Sequence, residues 1–178
     1  PERGVRVCRR AEFENFSKGS SMQRPSWDRY FMNIAYNVGK RSNCIRRRVG
    51  AVIVKDRNII STGYNGTPMG VQNCYEGGCP RCASEVPSGQ GLDTCLCVHA
   101  EQNAIAFAAR HGARTEGGAI YTTLRPCFGC LKESIQAGIA RIAYVDPYDY
   151  GPELEEVYQQ LLQESGLEMI WLDGDSGG

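Results

Sequence analysis

The sequence has no excess of charge of either sign: 20 lysines and arginines offset 20 aspartates and glutamates over 178 residues, and the isoelectric point is near 7.1. A surface built mainly to hold long nucleic acid needs a basic surplus, so polymeric nucleic acid is excluded as the main partner, while small anionic ligands stay open. No run of about 20 apolar residues is present to cross a bilayer, and the start has no apolar core of the kind that marks an exported precursor. The expectation is therefore a soluble cytoplasmic protein with no membrane partner. There is no internal repeat and no low-complexity tract. Histidine is scarce, with two residues, whereas cysteine is abundant, with nine. An odd cysteine count without any sign of export argues against a disulfide framework and for metal ligation. The length suits one domain of roughly 100–200 residues, and 42% hydrophobic residues suffice for its core.

Residues 1–21 mix charges with Gly and Ser, show no clean period and stop just before Met22. They are read as a flexible or expression-derived leader, holding Cys8, ahead of a single domain over 22–178. From Trp27 to Val38 the residues Tyr30, Phe31, Ile34, Ala35 and Val38 recur at helical spacing behind Ser26, a suitable N-cap. Val49–Val54 and Ile59–Tyr64 are β-rich runs around the charged turn Lys55-Asp56-Arg57-Asn58, which predicts an antiparallel hairpin. A stretch of Gly, Pro, Asn and Cys without periodicity then runs from Asn65 to Cys97. A loop of about 30 residues inside a compact domain needs something other than an apolar core, such as a metal, to tie it down. Beyond it the pattern is regular: helix 99–110, strand 119–123, helix 127–137, strand 142–145, helix 153–164 and strand 168–172. Strands alternating with helices imply right-handed crossovers and parallel pairing. The predicted architecture is α/β, a mixed five-stranded sheet with its last three strands parallel and helices on both faces.

Two fragments carry chemistry, each at the start of a predicted helix: His99-Ala100-Glu101 and Pro126-Cys127-Phe128-Gly129-Cys130. A helix N-terminus gathers side chains and free N–H groups at one point, and a C-x-x-C spacing turns both thiolates toward one metal. His99, Cys127 and Cys130 make three zinc ligands, and three protein ligands leave the fourth tetrahedral position for water, as a catalytic site requires. Glu101 lies two residues from His99, near enough to move a proton between that water and a leaving group without ligating the metal. Taken singly, the first fragment is an ordinary capping segment and the second a structural half-site or redox pair. Together, in this order, they form the H-x-E…P-C-x-x-C signature of zinc nucleobase deaminases, whose chemistry is hydrolytic attack at the amino-bearing ring carbon with departure of ammonia.

Longer segments are more specific: Arg41-Ser42-Asn43-Cys44, Arg48 through Val54, Gly63-Tyr64-Asn65-Gly66-Thr67-Pro68, Cys97 through Ile105, and Ile135 through Ile139. On these the span from Ser26 to Tyr150 resembles the deoxycytidylate (dCMP) deaminase family, which has a three-layer α/β/α cytidine-deaminase-like fold. The resemblance implies hydrolysis of dCMP to dUMP for thymidylate synthesis by a homo-oligomer, commonly a hexamer, often activated by dCTP and inhibited by dTTP. It assigns His99, Cys127 and Cys130 to the catalytic zinc and Glu101 to the proton shuttle. It also assigns Asn65 to the nucleoside, the Ala100 N–H to the pyrimidine carbonyl, and Tyr148 to the side of the sugar phosphate. Asn65 also reads as a turn residue, because Asn-Gly favours left-handed turns. Arg41, Arg46, Arg47 and Arg48 offer a phosphate grip, since guanidinium pairs with phosphate oxygens bidentately, or else form a solvated charge run. Arg125 departs from the small or apolar residue expected before the PCxxC and suggests contact with the nucleotide or a neighbouring subunit.

Some members of the family hold a second, structural zinc through cysteines matching Cys44, Cys74 and Cys97. Here Cys79, Cys82 and Cys95 supply more thiols than one tetrahedral ion uses, and reduced buried thiols are the alternative. Other functions compatible with the motifs are deamination of dCTP, CMP or deoxycytidine, a tRNA adenosine deaminase, or a zinc-stabilised binding module, which would have no need of Glu101.

Overall fold

In the computed structural model, residues 24–172 are described; the leader and Cys8 lie outside them. Helix α1 (Trp27–Gly39) begins where expected, with the Ser26 hydroxyl accepting a hydrogen bond from the Arg29 N–H at 3.2 Å. Its apolar stripe buries Phe31, Met32 and Ala35. Strands β1 (Gly50–Lys55) and β2 (Asn58–Tyr64) form the antiparallel hairpin. The hairpin turn is tighter than the charged tetrapeptide suggested, because Lys55 pairs with Asn58. Asp56 and Arg57 alone make the connection, both at positive φ, 50° and 63°. That left-handed pair follows the twist of the flanking strands.

Strands β3 (Ala119–Leu124), β4 (Arg141–Asp146) and β5 (Glu168–Trp171) complete a sheet of order β2-β1-β3-β4-β5. β1 runs antiparallel to both neighbours, while β3, β4 and β5 are parallel, as the alternation with helices predicts. Ala51, Ile53, Ile120 and Ile142 point to one face, where α3 (Ala100–Arg110), α4 (Phe128–Gln136) and α5 (Pro152–Ser165) contribute Ala104, Leu131 and Tyr158. Val52, Val54, Tyr121 and Ala143 point to the other, against α1. This is the three-layer α/β/α arrangement. Strand β1 carries apolar residues on both faces because it is central and covered on both sides.

Two glycines set how closely the helices approach. A Cβ on Gly50 would collide with the Ala35 carbonyl of α1, and one on Gly63 would collide with the Ala100 carbonyl and Ala104 N–H of α3. The absence of a side chain at Gly63 lets the start of α3 lie directly on β2. The Ser61 hydroxyl then donates to the Ala104 carbonyl at 2.7 Å, and the Asn103 amide donates to the Tyr64 carbonyl at 2.7 Å.

The insert leaves the end of β2 and returns to α3. Gly66 and Val98 exchange both backbone hydrogen bonds, at 3.1 and 2.8 Å, closing its neck. Within it lie a 3-10 turn at Cys74–Glu76, a one-turn helix α2 (Pro80–Ala83) and a second 3-10 turn at Leu92–Thr94. Its buried apolar cluster consists of cysteines: Cys44, Cys74, Cys79, Cys82 and Cys97, with Cys95 against them. Among the described residues no helix is long and apolar enough to cross a membrane.

Candidate active site

His99 is the N-cap of α3 and Cys127 the N-cap of α4, so the two helix starts deliver the fragments to one point at the end of the sheet. The His99 Nδ1 lies 3.3 Å from both the Cys127 and the Cys130 sulfur. A tetrahedral zinc at ordinary Zn–N and Zn–S lengths would put an N···S edge at about 3.6 Å. One imidazole and two thiols at these separations, all within 4.8 Å of one another, therefore fit such an ion. Capping interactions fix the geometry. The Gln102 side chain accepts from the His99 N–H at 2.9 Å and donates to Glu133 at 2.8 Å, tying α3 to α4, and the Cys127 sulfur accepts from the Cys130 N–H at 3.4 Å. The Cys130 thiol and then the His99 ring stabilise the Cys127 thiolate, holding its pKa down to about 4. The thiolate in turn raises the pKa of His99.

Glu101 is only 3% exposed, and its carboxylate accepts a hydrogen bond from the Thr122 hydroxyl of β3 at 2.8 Å. Burial pushes its pKa above the ordinary carboxylate range. A carboxyl group so placed takes up a proton closer to neutrality than a free one, which suits it to carrying protons. Thr122 is a site residue that sequence reasoning misses, because an inward strand threonine carries no motif.

The adjoining cavity is lined by His99, Ala100, Glu101, Cys127, Asn65, Arg46, Arg47, Arg125, Tyr148 and Tyr150, with Ser88, Gly89 and Leu92 of the insert on the other wall. Ala100 is the first residue of α3, where N–H groups have no intrahelical acceptor. Asn65 lines the cavity, but its amide also organises the backbone. Its Oδ1 accepts from the Val49 N–H and the Ser42 hydroxyl at 2.8 and 2.7 Å, and its Nδ2 donates to the Arg47 carbonyl at 2.8 Å. Tyr148 stands in the cavity with the Arg47 guanidinium 5.4 Å from its ring centre.

The four arginines separate. Arg46 turns to the insert, its Nε donating to the Cys82 carbonyl at 2.9 Å and its Nη2 to the Ser84 and Val86 carbonyls. Arg47 borders the cavity, Arg48 faces a separate surface depression, and Arg41 is exposed and lines neither. Arg125 is engaged within the chain. It makes a two-pronged ion pair with Glu155 of α5 at 2.8 Å, donates to the Tyr148 carbonyl at 2.9 Å and lies 4.4 Å from the Tyr158 ring centre. Its guanidinium ties α5 and the Tyr148 loop to the segment before the PCxxC. This role is visible only once α5 is seen to pack there.

A buried carboxylate beside an open His-Cys-Cys triad, at the helix starts of a three-layer sheet fold, defines a protein of the hydrolytic nucleobase deaminase class. The model of the cytidine and deoxycytidylate deaminase zinc-binding region matches residues 25–146, and the chain belongs to that family. Deoxycytidylate deaminase of Schizosaccharomyces pombe is 47% identical over 147 residues, 82% of this chain and 44% of that protein. The chain thus spans less than half the length of that relative. Deoxycytidylate deaminase of Mycobacterium phage D29 is 41% identical, covering 69% of this chain and 97% of that protein. A crystal structure of the dCMP deaminase of cyanophage S-TIM5, in complex with dCMP and dUMP, matches with a TM-score of 0.65 and 30% identity over 84% of this chain and 99% of that one.

Proposed function

We propose that this chain hydrolyses dCMP to dUMP and ammonia. The observation that carries the reading is Glu101, buried against Thr122 beside the His99, Cys127 and Cys130 donors in a cavity that Arg47 and Tyr148 border. Zinc held by those three donors would supply Lewis acidity, bringing the pKa of a bound water toward about 7. Glu101 takes a proton from the attacking water and hands protons to the pyrimidine N3 and the departing amine, so that one water is consumed and one ammonia released. The Ala100 N–H holds the ring carbonyl, and the free hydrogen of the Asn65 amide meets the nucleoside. Tyr148 flanks the sugar, and Arg47, rather than Arg41 or the engaged Arg46, grips the 5′-phosphate. The insert shields the reacting ring from bulk water, with its cysteines on structural zinc. Residues 22–178 act as one catalytic domain in a cytoplasmic homo-oligomer, a hexamer by resemblance. The product feeds thymidylate synthesis, with dCTP activating and dTTP inhibiting.

Ammonia release from dCMP, CMP, dCTP, deoxycytidine and tRNA, with and without added dCTP or dTTP, tests the reading. Turnover is expected on dCMP foremost; a preference for any other member of the panel overturns the substrate assignment. Glu101→Ala should keep fold and zinc while losing roughly 10²–10⁴-fold or more in kcat. Retained turnover in that variant would remove Glu101 from the mechanism.

A further inference from the structure

The six cysteines around the insert exceed what one structural ion can use, and their arrangement explains the surplus. Two quartets of sulfurs each lie within 4.8 Å: Cys44, Cys74, Cys82 and Cys97, and Cys79, Cys82, Cys95 and Cys97. Cys82 and Cys97 belong to both. The Cys82 sulfur lies 3.9 Å from Cys44 of the first quartet, 3.8 Å from Cys95 of the second and 3.9 Å from Cys97, and Cys79 lies 3.9 Å from Cys95. A tetrahedral tetrathiolate zinc with ordinary Zn–S lengths has S···S edges of about 3.8 Å. A disulfide needs sulfurs at about 2.05 Å, and all six cysteines are unpaired.

From this geometry we infer a binuclear zinc cluster in which Cys82 and Cys97 bridge two ions. Cys44 and Cys74 complete one ion, and Cys79 and Cys95 complete the other. Three features besides the distances support it. First, a single ion in either quartet would strand two of the other cysteines, and Cys74 and Cys79 are each 1% exposed or less. Second, six thiolates on two divalent ions leave two negative charges. Two cationic side chains come from the residues that carry the cluster: Arg46, two residues after Cys44, donates to the Cys82 carbonyl, and the buried Arg81, between Cys79 and Cys82 in sequence, donates to the Pro87 and Gln90 carbonyls. Third, the sulfur cluster has no aliphatic residue in its core, so little else holds the segment shut. The inference goes beyond the one structural zinc that the family resemblance implies and does not depend on which nucleotide is the substrate.

Metal counting on the full chain tests it. Native mass spectrometry under reducing conditions should give three zinc ions per chain, and Cys127→Ser combined with Cys130→Ser should leave two. Cys74→Ser and Cys95→Ser each remove an unshared ligand of a different ion, so each should lower the count by one. With a single structural ion, one of these variants would leave the count unchanged, and a wild-type count of two would overturn the cluster. Replacement of zinc by cadmium-113 supplies a readout on the intact wild type. Two tetrathiolate resonances split by coupling through the shared sulfurs are expected; uncoupled resonances would overturn the bridging. Every readout is independent of turnover, so an inactive preparation that binds three zinc ions would refute the proposed function and leave the cluster standing.

Discussion

Ile53, Ile120, Ile142 and Leu131 pack one face of the sheet and Phe31, Val52 and Ala143 the other, whereas the insert between Gly66 and Val98 encloses sulfur. The sheet buries large aliphatic side chains, each contributing about 1.5–3 kcal/mol when fully buried. The insert orders more chain than any two of the helices together while burying little besides thiols. Backbone ordering costs about 1–2 kcal/mol per residue, which those small side chains cannot offset. Metal ligation is a much larger favourable contribution than such burial, on the order of 10–16 kcal/mol for a structural zinc. The candidate active-site cavity lies on the seam. His99, Glu101 and Cys127 come from elements that the sheet positions, and Ser88, Gly89 and Leu92 come from the segment that the sulfurs hold. The comparison teaches that one pocket has two walls stabilised by different physics, so the walls should fail under different conditions.

Stripping the metal should separate them most widely. After treatment with a chelator, the Tyr75, Ala83 and Leu96 amides, now bonded to the Asn43 carbonyl, the Cys79 carbonyl and the Cys79 sulfur, should exchange with solvent on the order of a thousandfold faster. Ile53 and Tyr121, inside the β1–β3 ladder, should keep their protection. Hydrogen-exchange mass spectrometry reads both at once. An insert that stays protected without metal would mean that thiol packing and the Arg46 and Arg81 hydrogen bonds suffice, and the contrast would collapse.

The converse perturbation is Ile142→Ala in β4, a fully buried position three strands along the sheet from β2, the strand that leads into the insert. Removing three carbons there should cost about 2–5 kcal/mol in urea unfolding, while zinc per chain stays at the wild-type value. Metal loss in this variant would show that the two regions fold as a single unit.

What could be read in advance divides along the same line. Helix α1, the hairpin and the βαβαβ tail were legible because their apolar residues follow periods of 3.6 and 2, and their bounds differ from expectation by at most one residue at each end. His99, Glu101, Cys127 and Cys130 were legible as candidates because they sit at helix starts with fixed spacing, and the structure brings the three candidate ligands together. The insert was legible only as an anomaly. The Gly66–Val98 neck is too short to carry a period, and spacing cannot say which four of six sulfurs meet. The arginines were ambiguous for a related reason: neighbours along an irregular segment point in different directions, so Arg46 clamps carbonyls while Arg47 borders the cavity. Arg125 needed α5, because its partner Glu155 lies 30 residues away in sequence.

The smallest effect belongs to the outer face of the sheet, where Asp28 in the first turn of α1 meets β3 and β4. Its carboxylate accepts from Arg141 through two nitrogens, at 2.9 and 3.0 Å, and from the Tyr121 hydroxyl at 2.7 Å. The Arg141 hydrogen bonds, with smaller help from Tyr121, hold the Asp28 pKa below its ordinary 3.8. A carboxylate with a lowered folded-state pKa contributes stability that is present above the unfolded value and lost as the pH falls through the folded one. Asp28→Asn should therefore cost stability at pH 7, with the cost shrinking as the pH falls below 3.8 and vanishing once it passes below the lowered folded-state value, where both side chains are neutral. Because the aspartate side chain is 36% exposed, solvent screening keeps the neutral-pH cost at about 1 kcal/mol or less. Urea midpoints across pH 3–7 measure it. A cost that persists undiminished at pH 3 would assign the effect to packing or helix capping in place of the ion pair. A change in zinc content would show that even this distant face of the sheet is felt by the insert.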